Sequence, residues 1–416
     1  MKTEFDWLVG PIGNLVTCAG KAPVIGETLS ELETVRDGAV GVSGDRITYV
    51  GPWSEVKNAS AANRIEAPDS TVTPGLVDPH THVPFIGDRA DEMVMRLKGS
   101  SYMEIGRAGG GILSTMRAVR AVSFDGLYAL ARLHANRFLA NGVTTFEGKS
   151  GYGLKREAEV KQLRVLGALL EKGPQLVART FLGAHFVPPE FKDDPDGYVD
   201  LLIEEMLPSV ANEKLADFCD VFCEDGAFTP GQSRRMLTAA KSLGLKVKLH
   251  ADEIEDTGGG ALAAEVGAVS ADHLMAVSDD GIEAMAKAGV CATLLPGTSF
   301  YLRKGYAPWR KFVEAGCPVA LSTDCNPGSS YTTNLLQMAT LAIFGAGAMV
   351  EEALWAVTLN AAYALRLHDE VGSIEVGKRA DLCVWDVPSY LHLFYPYSEH
   401  RPSAVFCDGV PAVKAG

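Results

Sequence analysis

Two histidines, His80 and His82, stand two residues apart in the segment PGLVDPHTH. Side chains of an extended strand alternate between its faces, so both imidazoles would point the same way and could clamp one cation. An HxH pair alone is weak evidence, because polar residues also pair by chance. It gains weight from His250 in KLHADE and Asp324 in ALSTDCNPG. Three neutral imidazoles and one carboxylate suit one zinc or iron ion, and a five-coordinate arrangement leaves room for a water. Such an ion lowers the pKa of that water to ~7 and polarises a carbonyl, which is the chemistry of hydrolysis. Structural zinc sites usually close with cysteine, and no cysteine stands at these four positions. A catalytic centre is therefore expected.

Hydrolysis also needs proton carriers. Glu253 lies three residues after His250 and could serve as general base; the bland alternative is a solvated loop acid, as Glu255 and Asp256 beside it are expected to be. His273, in SADHL, is a second proton carrier or a partner for a developing oxyanion, unless it is a core histidine bonded to backbone. Asp324 joins these two in the catalytic set through the ion it would hold. His134, His368, His392 and His400 read as structural or exposed.

These groups must be brought together by the elements around them. Short apolar runs at 76–82, 143–147, 176–184, 219–224, 245–250, 268–273, 290–295 and 317–323 alternate with helical patterns. The segments 127–141 and 278–288 have helical periodicity and are each closed by a glycine. Eight such strands predict a (β/α)8 TIM barrel over 75–369, although a doubly wound open sheet would alternate similarly. The placement of histidines decides between them. Five of the nine, His80, His82, His185, His250 and His273, fall at or just past the C-terminal end of a proposed strand, where a barrel gathers its catalytic groups. The two chain ends read differently. Residues 36–51 form a hairpin about Ser43, Gly44 and Asp45, and 381–386 with 404–407 read as short strands before an Asp408-Gly409 turn. Segments 1–74 and 370–416 are thus expected to build one composite domain, a small β-sandwich.

Composition narrows the partners. A formal net charge of -14 leaves no broad basic face, which speaks against nucleic acid and against anionic membrane. The uncharged stretch 325–350 has too few consecutive apolar residues for a span, and a buried helix covering a sheet is expected there. The opening MKTEFDWLVG lacks a signal-peptide pattern, so a cytoplasmic location is expected. Eight scattered cysteines without a CxxC pair read as buried reduced thiols. Two tempting motifs fail. Gly148-Lys149-Ser150 lacks the earlier glycine of a phosphate loop, and Gly109-Gly110-Gly111 follows no strand and reads as a flexible loop near the barrel mouth.

From PGLVDPHTH to the closing GSIEVGKRADLCVWD the chain resembles the amidohydrolase superfamily, and within it the imidazolonepropionase family. The segments that carry the likeness include HTHVPFIGDRADEM, GGGILSTMRAVR, KSGYGL, TFLGAHFVPPEF, HADEIEDTGG, LLPGTSFYLR and STDCNPGSSYT. The resemblance implies hydrolysis of 4-imidazolone-5-propanoate to N-formimidoyl-L-glutamate in histidine degradation, with one zinc or iron ion held by His80, His82, His250 and Asp324. It also implies substrate contacts from Arg89, Tyr152, His185 and Glu253, with Asn326, Gly328 and Ser329 lining the final loop. Arg89 could grip a propionate carboxylate bidentately. The expected partner is thus a small anionic cyclic amide, and a homodimer is the assembly left open. Two alternatives stand beside this reading: a one-metal deaminase of a heteroaromatic base, and a non-catalytic barrel kept as a binding protein.

Overall fold

The computed structural model of the chain describes residues 4–100, 104 and 110–414. Its centre is a barrel of eight parallel strands in sequential order: Leu76–Asp78, Val143–Lys149, Leu176–Ala184, Phe218–Cys223, Lys246–Ala251, Ser270–His273, Cys291–Leu294 and Val319–Leu321. Each overlaps one of the eight apolar runs. The first and last are shorter than the runs predict, because their ends leave the regular ladder where the barrel closes. There Asp324 N donates to His80 O at 3.1 Å and His82 N to Cys325 O at 3.0 Å. The Asp78 carboxylate accepts from Thr323 N at 3.2 Å and Thr323 Oγ1 at 2.6 Å. The seam that closes the barrel is therefore the segment pair bearing three of the four expected ligands, and the open-sheet alternative falls away.

Helices wrap the outside for reasons visible in their ends. Phe124–Ala140 starts at Ser123, whose hydroxyl accepts from Gly126 N, and Asp279–Ala288 runs from a Ser278 cap to Gly289 at φ 68°. Apolar residues from both elements face the strands. Along 325–350, where one buried helix was expected, Leu335–Leu341 passes into a wider π turn at Ala342–Ala346. Among the described residues, no helix is long and apolar enough to cross a membrane. All eight cysteines are buried and free.

The chain ends meet in one mixed sheet, eight-stranded among the described residues. Glu4–Val16 pairs in parallel with Ser60–Pro74, and Leu382–Trp385 joins the latter antiparallel, Leu382 opposite Pro74. Only Gly75 separates Ser60–Pro74 from the first barrel strand, and its N–H donates to Asp381 O at 2.9 Å. The two bodies press together at Gly142 (φ 86°), where an added Cβ would lie 3.0 Å from Cys383 Sγ and 3.2 Å from the Trp385 ring. Of the triple glycine, Gly109 lies outside the described residues; Gly111, at φ 71°, precedes the helix Ile112–Ala121.

Candidate metal centre and active site

The four expected ligands converge at the C-terminal mouth of the barrel, each 3% exposed or less. His82 Nε2 lies 3.3 Å from His80 Nε2, 3.4 Å from His250 Nε2 and 3.3 Å from Asp324 Oδ1, and His80 Nε2 is 3.6 Å from the same oxygen. Donors ~2.1 Å from a tetrahedral ion stand ~3.4 Å from one another. Asp324 Oδ1 has no hydrogen-bond partner among the described residues, so a buried anionic oxygen is turned toward the Nε2 atoms of His80 and His82. The donor set and its spacing fit a divalent cation.

Two of the imidazoles are aimed from behind. His80 Nδ1 is hydrogen-bonded with Asp272 Oδ2 at 2.6 Å, and His250 Nδ1 lies 3.0 Å from Asp220 Oδ2 in an ion-pair contact, with His250 N donating to Asp220 Oδ1 at 3.2 Å. A carboxylate on the outer nitrogen turns the inner lone pair toward the centre, as in other metal-bound histidines. Burial holds His80 well below the ordinary imidazole range and His82 down to about 4, so both present neutral rings. Burial alone would raise Asp324, but His82 and His273 outweigh it and bring the carboxyl down to about 2. Asp324 and His273 adopt φ of 50° and 77°, a region that costs non-glycine residues of order 1 kcal/mol or more. Asp324 is held there by its bond to His80 O and by Asn326 Nδ2 donating to its carbonyl at 2.7 Å.

Glu253 and His273 stand beside this cluster. His273 Nε2 is 3.7 Å from Glu253 Oε2, and the His273 ring centre is 5.2 Å from that of His250. The loop carrying Glu253 is pinned on either side: the Asp252 carboxylate accepts from Thr257 N, Gly259 N and Gly260 N, and Ile254 N donates to Glu224. Burial, with Asp324 adding to it, pushes Glu253 up to about 7, where a carboxyl can both take and return a proton at neutral pH. Glu255 and Asp256 are exposed, as expected for loop acids.

The remaining expected residues form the rim. His185 stacks on His82 with ring centres 5.0 Å apart and planes 18° from parallel, its Nδ1 3.0 Å from Gly151 O. Tyr152 is buried, its ring 5.9 Å from His82 and 5.4 Å from His185. Arg89 contacts Thr115 Oγ1 through Nε and Nη2, and it has no carboxylate partner among the described residues. Asn326, Gly328 and Ser329 make one tight turn, in which Asn326 Oδ1 accepts from Gly328 N at 2.7 Å and Ser329 N at 2.8 Å. The Asn326 side chain thus builds the loop. Among the four histidines set aside, His134 is buried against Phe85 and His392 is exposed.

Sequence reasoning missed what lies beneath the ligands. Glu147, Lys149, Asp220, Lys248 and Asp272 are fully buried inside the barrel. Lys149 Nζ is 2.7 Å from Asp220 Oδ2 and 2.8 Å from Glu147 Oε2. Burial would lower the Lys149 ammonium, but Asp220 and Glu147 outweigh it and raise it. A signal did exist: in KVKLHA, Lys248 stands two residues before His250 and so shares its inward face.

A parallel barrel with imidazole and carboxylate donors gathered at its C-terminal mouth, beside a sheet built from both chain ends, is the architecture of a metal-dependent hydrolase. A model of the amidohydrolase family matches residues 71–412. Imidazolonepropionases of Geobacillus sp. and Shouchella clausii are each 51% identical over 409 residues, which is 97% of this chain and 96% and 92% of theirs. A crystal structure of an adenosine deaminase from Xanthomonas campestris with bound zinc superposes with a TM-score of 0.73 at 20% identity, covering 99% of this chain and 94% of the other. That likeness is one of fold. The chain belongs to the amidohydrolase family and, inside it, to the imidazolonepropionases. It is a metal-dependent hydrolase, and its centre takes a divalent ion.

Proposed function

We propose that this site hydrolyses the ring amide of 4-imidazolone-5-propanoate to N-formimidoyl-L-glutamate, a step of histidine degradation, with a single zinc or iron ion held by His80, His82, His250 and Asp324. The observation that carries the reading is the convergence of those four donors next to Glu253, with Arg89 packed against Gly328 in the turn that follows Asp324. When bound, the ion supplies Lewis acidity and brings a water's pKa near ~7.

The chain's own residues supply the rest. Glu253 takes a proton from the attacking water, whose oxygen bonds to the ring carbonyl carbon. The negative charge gathering on the carbonyl oxygen is met by the N–H of His273 or of His185, both kept neutral by burial. The ring C–N bond then breaks, and its nitrogen receives the proton from Glu253 or from one of these histidines. Arg89 binds the propionate arm, Tyr152 adds a hydroxyl at the rim, and the turn of Asn326, Gly328 and Ser329 closes the pocket wall. A guanidinium with no acid partner among the described residues favours an anionic substrate over a neutral purine or pyrimidine. The test follows the ultraviolet absorbance of imidazolone propionate with metal-analysed protein, beside guanine and cytosine. Loss of imidazolone absorbance is expected, and turnover of a base without it would refute the reading.

A further inference from the structure

Five ionic side chains fill the barrel directly beneath the ligands, where apolar branched residues are the usual filling. They form one connected layer. Lys149 Nζ touches Asp220 and Glu147 and lies 3.7 Å from Asp272 Oδ2. Lys248 Nζ is 2.9 Å from Glu147 Oε2, 3.6 Å from Asp272 Oδ2 and 2.7 Å from the carbonyl of Pro79, the residue before His80. Asp220 and Asp272 are the two carboxylates that meet His250 and His80. Asp220 is thus hydrogen-bonded by Lys149, and Asp272, whose Oδ1 accepts from Ser270 Oγ at 2.7 Å, lies within ion-pair distance of both lysines.

We infer that Lys149 and Lys248 are positioning residues of the metal centre: through Asp220 and Asp272 they hold His250 and His80 with Nε2 turned to one point before the ion arrives. Stability is a weak reason for the layer, since replacing a buried ion network by apolar residues of similar volume is often neutral or stabilising. The charge does explain it. Three carboxylates and two ammoniums leave one negative charge in the layer, and Asp324 adds a second above it, an excess that favours a divalent cation. Lys248 has a further reason for its place: it grips the backbone at Pro79 while sharing a strand with His250, so one side chain references both ends of the ligand set.

The inference rests on the four donors being the metal site, and the experiment separates the two claims. Zinc affinity of the metal-free chain is measured by competition with a chromophoric chelator, and cobalt(II) serves as a spectral probe. Wild type is compared with Lys149→Met and with the charge-compensated Glu147→Gln/Lys149→Met pair, which carries the comparison where the single variant does not fold. Zinc binding is expected to weaken roughly 10–100-fold, as when outer partners of ligands are removed, with displaced cobalt bands. A folded variant with zinc affinity within about twofold of wild type and a superimposable cobalt spectrum, even at a lower melting temperature, overturns the inference. A wild type that takes up neither ion overturns the metal reading and the inference with it. In metal-free wild type, nitrogen NMR of labelled histidine should also show the Nδ1–H tautomer at His80 and His250; the Nε2–H form at either refutes the preset orientation.

Discussion

A Cβ placed on Gly328 would lie 2.4 Å from Arg89 Nη1, closer than any real contact. The guanidinium therefore occupies the space that a side chain at 328 would take, and the turn anchored by Asn326 presents a bare backbone to it. Gly328→Ala should push Arg89 aside without touching the metal. Losing a charge-assisted hydrogen bond is worth about 1.5–3 kcal/mol, so KM for the anionic substrate should rise roughly tenfold to a hundredfold. Zinc content and kcat at saturation should hold. Steady-state kinetics with metal analysis checks this, and an unchanged KM would mean that Arg89 does not bind the substrate.

Glu253 sets a pH dependence. As a base it must be ionised, so kcat/KM should rise with pH as the carboxyl, pushed up to about 7 by burial, loses its proton. A bound divalent cation stabilises the carboxylate and moves this limb to lower pH, never to higher. Glu253→Gln should cost ~10²- to 10⁴-fold in kcat, abolish the acidic limb and leave metal content unchanged. A pH–rate series on both proteins decides it.

How far the sequence announced this arrangement depends on the residue. The cluster of His80, His82, His250 and Asp324 was legible because HxH on a strand has a fixed geometry and histidines are few. The barrel was legible because its strands are apolar and regularly spaced. The ionic layer was only partly legible: Lys248 shares the inward face of His250 and Glu147 that of Lys149, but Asp220 and Asp272 come from other strands, and a lysine in a short strand reads as solvated until such neighbours are known. The turn that Asn326 builds was not legible either, because its side chain bonds Gly328 N and Ser329 N in a local arrangement that residue types alone do not disclose.

Metal removal gives a stability readout independent of catalysis. A ligand that binds only the folded state stabilises it by about 2.7 kcal/mol when present at 100 times its Kd. Zinc added to metal-free wild type should raise Tm by several degrees, and Asp324→Ala should lose most of that shift along with activity. Calorimetry with and without zinc checks this. An equal shift in the variant would show that zinc binds elsewhere.

Asp252 carries the last expectation, because it touches no ligand yet governs the base beside it. Its carboxylate gathers the N–H groups of Thr257, Gly259 and Gly260 within 2.8–3.0 Å, and its own φ of 49° lies in the left-handed region. Alanine removes every acceptor and tolerates that backbone less well than aspartate or asparagine. Asp252→Ala should therefore destabilise the fold by about 2–4 kcal/mol, the sum of a lost charged acceptor and the strain, and lower kcat as Glu253 loses its register. Asp252→Asn keeps Oδ1 for Thr257 and Gly259 and keeps the backbone preference, but sets an amide against Gly260 N. It should fall between wild type and alanine in both Tm and kcat, with KM little changed in either. If kcat held in the alanine variant while Tm fell, the loop would be a structural brace with no part in placing the base.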